Sequence, residues 1–135
     1  MWLIIIVDDE VSNYYVIERA IHDTRGGITF YAHSSRCFFK LIKRVVPDFI
    51  FLKVGMPGAD TMYCLKKIRS IKNYNSVPVI MYSSGIDCKA EAYKNKANLY
   101  ITKPDSFNKV SDTIHSILAF DWKSNLYPAA DSLVV

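Results

Sequence analysis

The stretch FIFLKVGMPGAD, residues 49–60, decides how the chain is read. Phe49 to Leu52 is a run of apolar residues, short enough for a strand and apolar on both faces, as a strand inside a parallel sheet is. It ends in a cation, Lys53, and passes at once into Gly55-Met56-Pro57-Gly58, a turn composition. Outward from it the same alternation repeats. Apolar runs at 3–7, 28–31, 79–82 and 99–102 read as further strands, and between them lie amphipathic patterns at 13–22, 35–45, 60–71, 87–95 and 107–118. Ser12 is a candidate cap for the first helix, Gly26-Gly27 its stop, and Pro47 the limit of the second. Five strands alternating with five helices predict an α/β domain with a doubly wound, five-stranded parallel sheet.

The chain has 135 residues, half of them apolar, which suits one domain with one core. That domain is expected over 1–120. Residues 121–135, DWKSNLYPAADSLVV, form a C-terminal tail too short to be a separate domain. The formal charge of +4 is mild, and basic residues such as Lys66, Lys67, Arg69 and Lys72 are scattered at helical positions. This is the pattern of a solvated helix face, so nucleic acid is not an expected partner. Cys37, Cys64 and Cys88 are odd in number and lack metal-ligand spacing, consistent with free thiols in a reducing compartment. His22, His33 and His115 fall in no constellation. The WLIIIV run meets Asp8-Asp9-Glu10 after six residues, too short for a membrane span and without the flanks of a signal peptide. The expected location is cytoplasmic.

In an open parallel sheet, ligands are met at the carboxyl ends of the strands. Those ends carry Asp8 and Asp9, then Lys53, then Ser83 and Ser84, then Lys103-Pro104. Two carboxylates, two ammonium groups and a hydroxyl therefore converge. Four segments, IIIVDDE, FIFLKVGMPGAD, VPVIMYSSG and NLYITKP, hold these residues in order. Together they resemble the receiver domain of two-component response regulators, over about residues 2–118. NLYITKPDSF and Asp121-Trp122-Lys123 are similar in particular to single-domain receivers of bacteria.

The resemblance implies a flavodoxin-like receiver fold, strand order 2-1-3-4-5, and a place in phosphorelay signal transduction. It implies that Asp8, Asp9 and the backbone carbonyl of Gly55 match the positions that hold Mg²⁺ in the family. Ser83 and Lys103 match the positions that contact a phosphoryl group. Tyr100 matches the aromatic that swings inward with the hydroxyl residue, and the peptide equivalent to Lys103–Pro104 is usually cis. One position departs. The family accepts its phosphoryl group from a histidine kinase on a carboxylate at the end of the third strand, and here Lys53 stands there. Asp48 precedes the strand and Asp60 lies beyond the turn, so no shift of alignment supplies the missing acid. A lesser departure is Asp105, where the family often has Phe.

Phosphoryl transfer needs an oxygen nucleophile in line and a metal to neutralise the developing charge. An ammonium must lose its proton before it attacks anything. It also upsets the charge that draws the metal, since Asp8 and Asp9 against Lys53 and Lys103 sum to zero. Magnesium demands near-octahedral oxygen ligands, and one is lost. The expectation is a degenerate site, with no cofactor and with Mg²⁺ weak or absent. The Lys53 ammonium would be bonded to Asp8 or Asp9 in the metal's stead. At roughly 4 Å and an effective dielectric of about 20, one such pair has a gross Coulomb energy of about 4 kcal/mol, much of it offset by desolvation.

The expected function is signalling by protein–protein contact, not catalysis. In receivers the face of the fourth helix, fifth strand and fifth helix commonly meets partners; here it carries Tyr100, residues 87–96 and residues 105–109. A histidine kinase, a downstream regulator or a second copy forming a homodimer would bind there. Two alternatives stand beside this reading. One is a receiver that still answers to a kinase or to Mg²⁺ through another residue. The other is an enzyme that uses Lys53 with Asp8 for acid–base or Schiff-base chemistry, which requires a depressed lysine pKa.

Overall fold

The structure is a computed structural model that describes residues 2–24, 26–56, 61–84, 88–104 and 106–127. Five strands, β1 (Trp2–Val7), β2 (Gly27–Ala32), β3 (Phe49–Lys53), β4 (Val79–Ser83) and β5 (Leu99–Thr102), alternate with five α-helices. These are α1 (Val11–Thr24), α2 (Ser35–Leu41), α3 (Thr61–Ser70), α4 (Lys89–Lys94) and α5 (Phe107–Ala119); a single 3₁₀ turn, Lys72–Tyr74, follows α3. Every strand pair is parallel and the order is β2-β1-β3-β4-β5, the doubly wound sheet that the sequence predicts.

Side chains alternate across a strand, so each apolar run feeds two cores. Ile4 and Ile6, Phe49 and Phe51, Ile80 and Tyr82, Leu99 and Ile101 pack under α1 and α5. Ile5 and Val7, Ile50 and Leu52, Val79 and Met81, and Tyr100 pack against α2, α3 and α4. The same alternation carries past the strand ends and sorts the polar residues. Asp8, Lys53, Tyr82 and Lys103 continue the α1/α5 side, while Ser83 continues the other.

Several boundaries differ from the sequence reading. α1 begins at Val11, so Ser12 lies inside its first turn and is not its cap. Asp8 Oδ1 instead accepts from the Glu10 amide at 2.8 Å, in the turn between β1 and the helix. Gly26 does stop the helix: its φ is +73°, and its amide donates to the Ile21 carbonyl. α2 ends at Leu41 because the following turn tightens, with Arg44 N–H bonding Leu41 O, and because the Tyr74 hydroxyl takes the carbonyls of Ile42 and Val45. No cis peptide bond occurs among the described residues, so Lys103–Pro104 is trans. Asp60, Asp87 and Asp105, the expected limits of helices and interface segments, lie outside the described residues, as do Pro57 and Gly58.

The tail is docked as far as it is described. Trp122 is buried and its indole N–H donates to Ile117 O of α5 at 2.8 Å, while Leu126 O accepts from Asn98. Asp121, Trp122, Lys123 and Leu126 line, with Trp2, Asp48, Phe49 and Pro78, a cleft of about 570 Å³ at the amino ends of the strands, opposite the polar cluster.

Candidate functional site

Lys53 ends β3 with its side chain on the α1/α5 side, beside the strand end that carries Asp8. Its Nζ donates to Asp9 Oδ1 at 2.9 Å and to Glu10 Oε1 at 2.8 Å, and lies 3.6 Å from Asp8 Oδ1. The side-chain exposure of these acids falls from 59% at Glu10 through 31% at Asp9 to 0% at Asp8. The shortest contacts are thus the most screened by water, and the longest faces a carboxylate with no water at all. Burial pulls the ammonium pKa down, but hydrogen bonds to Glu10 and Asp9 and the charges of Asp8 and Asp9 outweigh it. The balance lies above the ordinary 10.5. The bond from Lys53 likewise holds the Asp9 carboxyl below its ordinary 3.8.

Asp8 is the hub. Its Oδ1 accepts from the Glu10 amide and, at 3.4 Å, from Asn13 Nδ2; its Oδ2 accepts from the Tyr82 hydroxyl at 2.7 Å. Burial, and then the charge of Asp8, push the Tyr82 hydroxyl pKa up. Asn13 passes the network on, because its Oδ1 accepts from the Lys103 ammonium. Lys103 therefore joins the acids through Asn13. With Glu10 counted, three carboxylates face Lys53 and Lys103, so the cluster's formal charge is −1 and not the zero reckoned from Asp8 and Asp9 alone.

The remaining expected residues lie apart from this cluster. Ser83 Oγ is 2.8 Å from the Tyr100 hydroxyl on the α4 side of the sheet, and the Tyr100 amide donates to Tyr93 OH of α4. Tyr100 is 5% exposed, so its ring is not part of a contact surface as the sequence reading had it; the bond to Ser83 draws it inward. Gly55 has φ +86°, a left-handed conformation that glycine takes without a Cβ penalty.

Glu10, Asn13 and Tyr82 were not singled out from sequence. Glu10 had a signal, since it extends the acidic run after β1. Asn13 had none without the helix start at Val11. Tyr82 had one in hindsight, as a phenol among aliphatics whose alternation puts it on the same side as Lys53.

Acids after β1, a cation closing β3, a hydroxyl closing β4 and a lysine after β5 place the domain in the flavodoxin-like class that gathers its functional groups at the carboxyl ends of a parallel sheet. Residues 4–115 match the response regulator receiver domain, and the chain belongs to that family. It is 34% identical over 119 residues to the protein-glutamate methylesterase/protein-glutamine glutaminase of Trichodesmium erythraeum (strain IMS101), covering 84% of this chain but only 33% of that protein. In fold it is similar to the phosphorylated cyanobacterial phytochrome response regulator RcpA, with TM-score 0.82, 20% identity, and 95% and 99% of the two chains covered. It is also similar to the Mn²⁺-bound response regulator Rcp1, with TM-score 0.79, 15% identity, and 96% and 100% covered. No helix among the described residues is long and apolar enough to cross a membrane.

Proposed function

We propose that this receiver domain works in two-component signalling without a phosphoryl group at the end of β3 and without a bound divalent cation. It acts instead through protein contacts. The observation that carries the reading is the Lys53 ammonium lying among Asp8, Asp9 and Glu10, within 2.8 to 3.6 Å of an oxygen of each. Magnesium needs oxygen ligands at about 2.0–2.1 Å in octahedral array. A donor set with an ammonium at its centre does not fit that ion. Rcp1 has been solved with Mn²⁺; in this chain the charge that a cation would supply is built into the side chain at position 53. The acidic pocket of Asp8, Asp9 and the Gly55 carbonyl is then vestigial as a metal site.

The domain is a binding module and not an enzyme. A lysine nucleophile needs a lowered pKa, and Lys53 is raised by its acids. The methylesterase relative is matched over 33% of its length, so its activity is not carried over. Ser83 and Tyr100 are already joined, and the ring is already inward. This contact supports a reading in which the chain's own hydroxyls hold the inward arrangement that the family adopts with a phosphoryl group. Partners, whether a histidine kinase, a downstream regulator or a second copy, meet the face of α4, β5 and α5 in the cytoplasm.

Incubation with a small phosphodonor and Mg²⁺, followed by intact mass spectrometry, tests this. The wild type should keep its mass and Lys53→Asp should gain a phosphoryl group. A phosphorylated wild type would overturn the proposal in favour of a receiver that accepts at another residue.

A further inference from the structure

We infer that Tyr82 is a second lock on the acidic pocket: its hydroxyl occupies the Asp8 oxygen that Lys53 does not reach, and it opposes divalent cations independently of Lys53. The inference rests on the reading of Lys53 given above and extends it to a residue on another strand.

Tyr82 and Lys53 are partners in the β3–β4 register, so their side chains leave the sheet on the same side, one strand apart. Tyr82 is buried among Ile6, Phe51, Ile80 and Ile101, surroundings that would accept a phenyl ring equally well. A hydroxyl buried there without a partner is costly. It has one in Asp8 Oδ2 at 2.7 Å, with the Val7 carbonyl a weaker second acceptor at 3.4 Å. Asp8 is itself fully buried, and the Glu10 amide, Asn13 and Lys53 all lie on its other oxygen.

Tyr82 therefore completes the set. With donors on both oxygens, the carboxylate has little accepting capacity left for a hydrated cation. A metal, or a water bound to it, that took this site on Oδ2 would displace the phenol and leave it only the weaker Val7 carbonyl at 3.4 Å. Lys53 supplies competing charge, whereas Tyr82 removes an acceptor; the two act on different oxygens, and removing one leaves the other in place.

The test compares Mg²⁺ affinity in Lys53→Asp and in Lys53→Asp/Tyr82→Phe by amide NMR titration, with thermal melts establishing that both are folded. The double variant should bind about fivefold more tightly, the factor that one hydrogen bond of ordinary net strength commands. Made in an Asp8→Asn background, the same Tyr82→Phe change should give no gain, whereas an effect of Tyr82 that did not run through Asp8 would persist there. Equal affinity in the two variants overturns this inference and leaves the reading of Lys53 standing. Binding by neither variant overturns both. Tyr82→Phe with Lys53 intact is an independent check: loss of the hydroxyl should move the Asp8 side-chain carboxyl ¹³C resonance, and an unmoved resonance contradicts the lock.

Discussion

Lys53, at the carboxyl ends of the strands, is surrounded by carboxylates; Arg69, near their amino ends, is surrounded by neutral oxygens. Arg69 Nε donates to Lys96 O at 2.9 Å, Nη1 to Tyr74 O and Val77 O at 3.0 Å each, and Nη2 to the Asn98 side chain. Asn98 in turn holds the Val79 amide and the Leu126 carbonyl, so one guanidinium ties α3, the 3₁₀ turn, β4 and the tail together. It also pins the carbonyl of Lys96, a non-glycine residue at φ +70°. Burial lowers the Arg69 pKa, while acids raise that of Lys53. Carbonyls do not titrate and cannot be exchanged for a ligand, but carboxylates do and can. Arg69 is therefore a structural fastening, whereas the partners of Lys53 are groups that titrate.

The comparison predicts unequal responses to mutation. Arg69→Ala should be the most damaging, with a loss of about 3 kcal/mol in urea unfolding because several buried acceptors lose their donors together. Arg69→Lys should recover less than half of it, since one ammonium cannot fork to acceptors spread over three segments. Lys53→Met should cost less, about 1–2 kcal/mol at neutral pH: it strips the cation from a buried carboxylate that keeps its other donors.

The pH dependence of that second difference sharpens the contrast. The Asp9 carboxyl is held below 3.8, so the stability it gains from Lys53 is complete above about pH 4–5 and is lost as pH falls through the folded value. The Lys53 pKa is raised, so its contribution persists up to 10.5 and is lost only as pH climbs through the higher folded value. The gap between wild type and Lys53→Met should therefore be flat across neutral pH and close at the acid end. The loss from Arg69→Ala should show no such closure, and an acid-sensitive Arg69 difference would break the distinction.

Smaller effects follow. Ser83→Ala should cost about 1 kcal/mol and speed hydrogen exchange in β5, as Tyr100 loses the bond that holds it inward. Glu10→Gln should cost a few tenths of a kcal/mol, and less still in high salt, because its ion pair is largely in water.

How much of this was legible in the sequence follows from the same physics. The sheet was legible because strands buried on both faces must be almost wholly apolar, and 49–52 and 79–82 are. Asp8, Asp9 and Lys53 were legible because a parallel sheet brings strand ends together, so their meeting needed no side-chain detail. Which acids Lys53 would choose was not, since it depends on α1 starting at Val11 and swinging Glu10 over the pocket. Tyr82 was hidden inside an apolar run, where its ring satisfies the pattern and its hydroxyl leaves no trace. Arg69 was hidden more completely, because backbone carbonyls belong to every residue and its sequence neighbours, Lys66 and Lys67, are exposed helix charges of the same kind. The tail was unreadable for a related reason: Trp122 docks by one indole bond to Ile117 and by packing, neither of which has a period.

The central claim is that a built-in ammonium has taken the place of a cation. A titration of the wild-type protein with Mg²⁺, followed through the amides of Asp9, Glu10 and Gly55 and the side-chain ammonium of Lys53, tests it most directly. The account predicts no saturable shift at millimolar Mg²⁺ and an unmoved Lys53 resonance. Saturable shifts at Asp9 and Gly55, with Lys53 released from its acids, would show that the pocket still takes a metal and would contradict it.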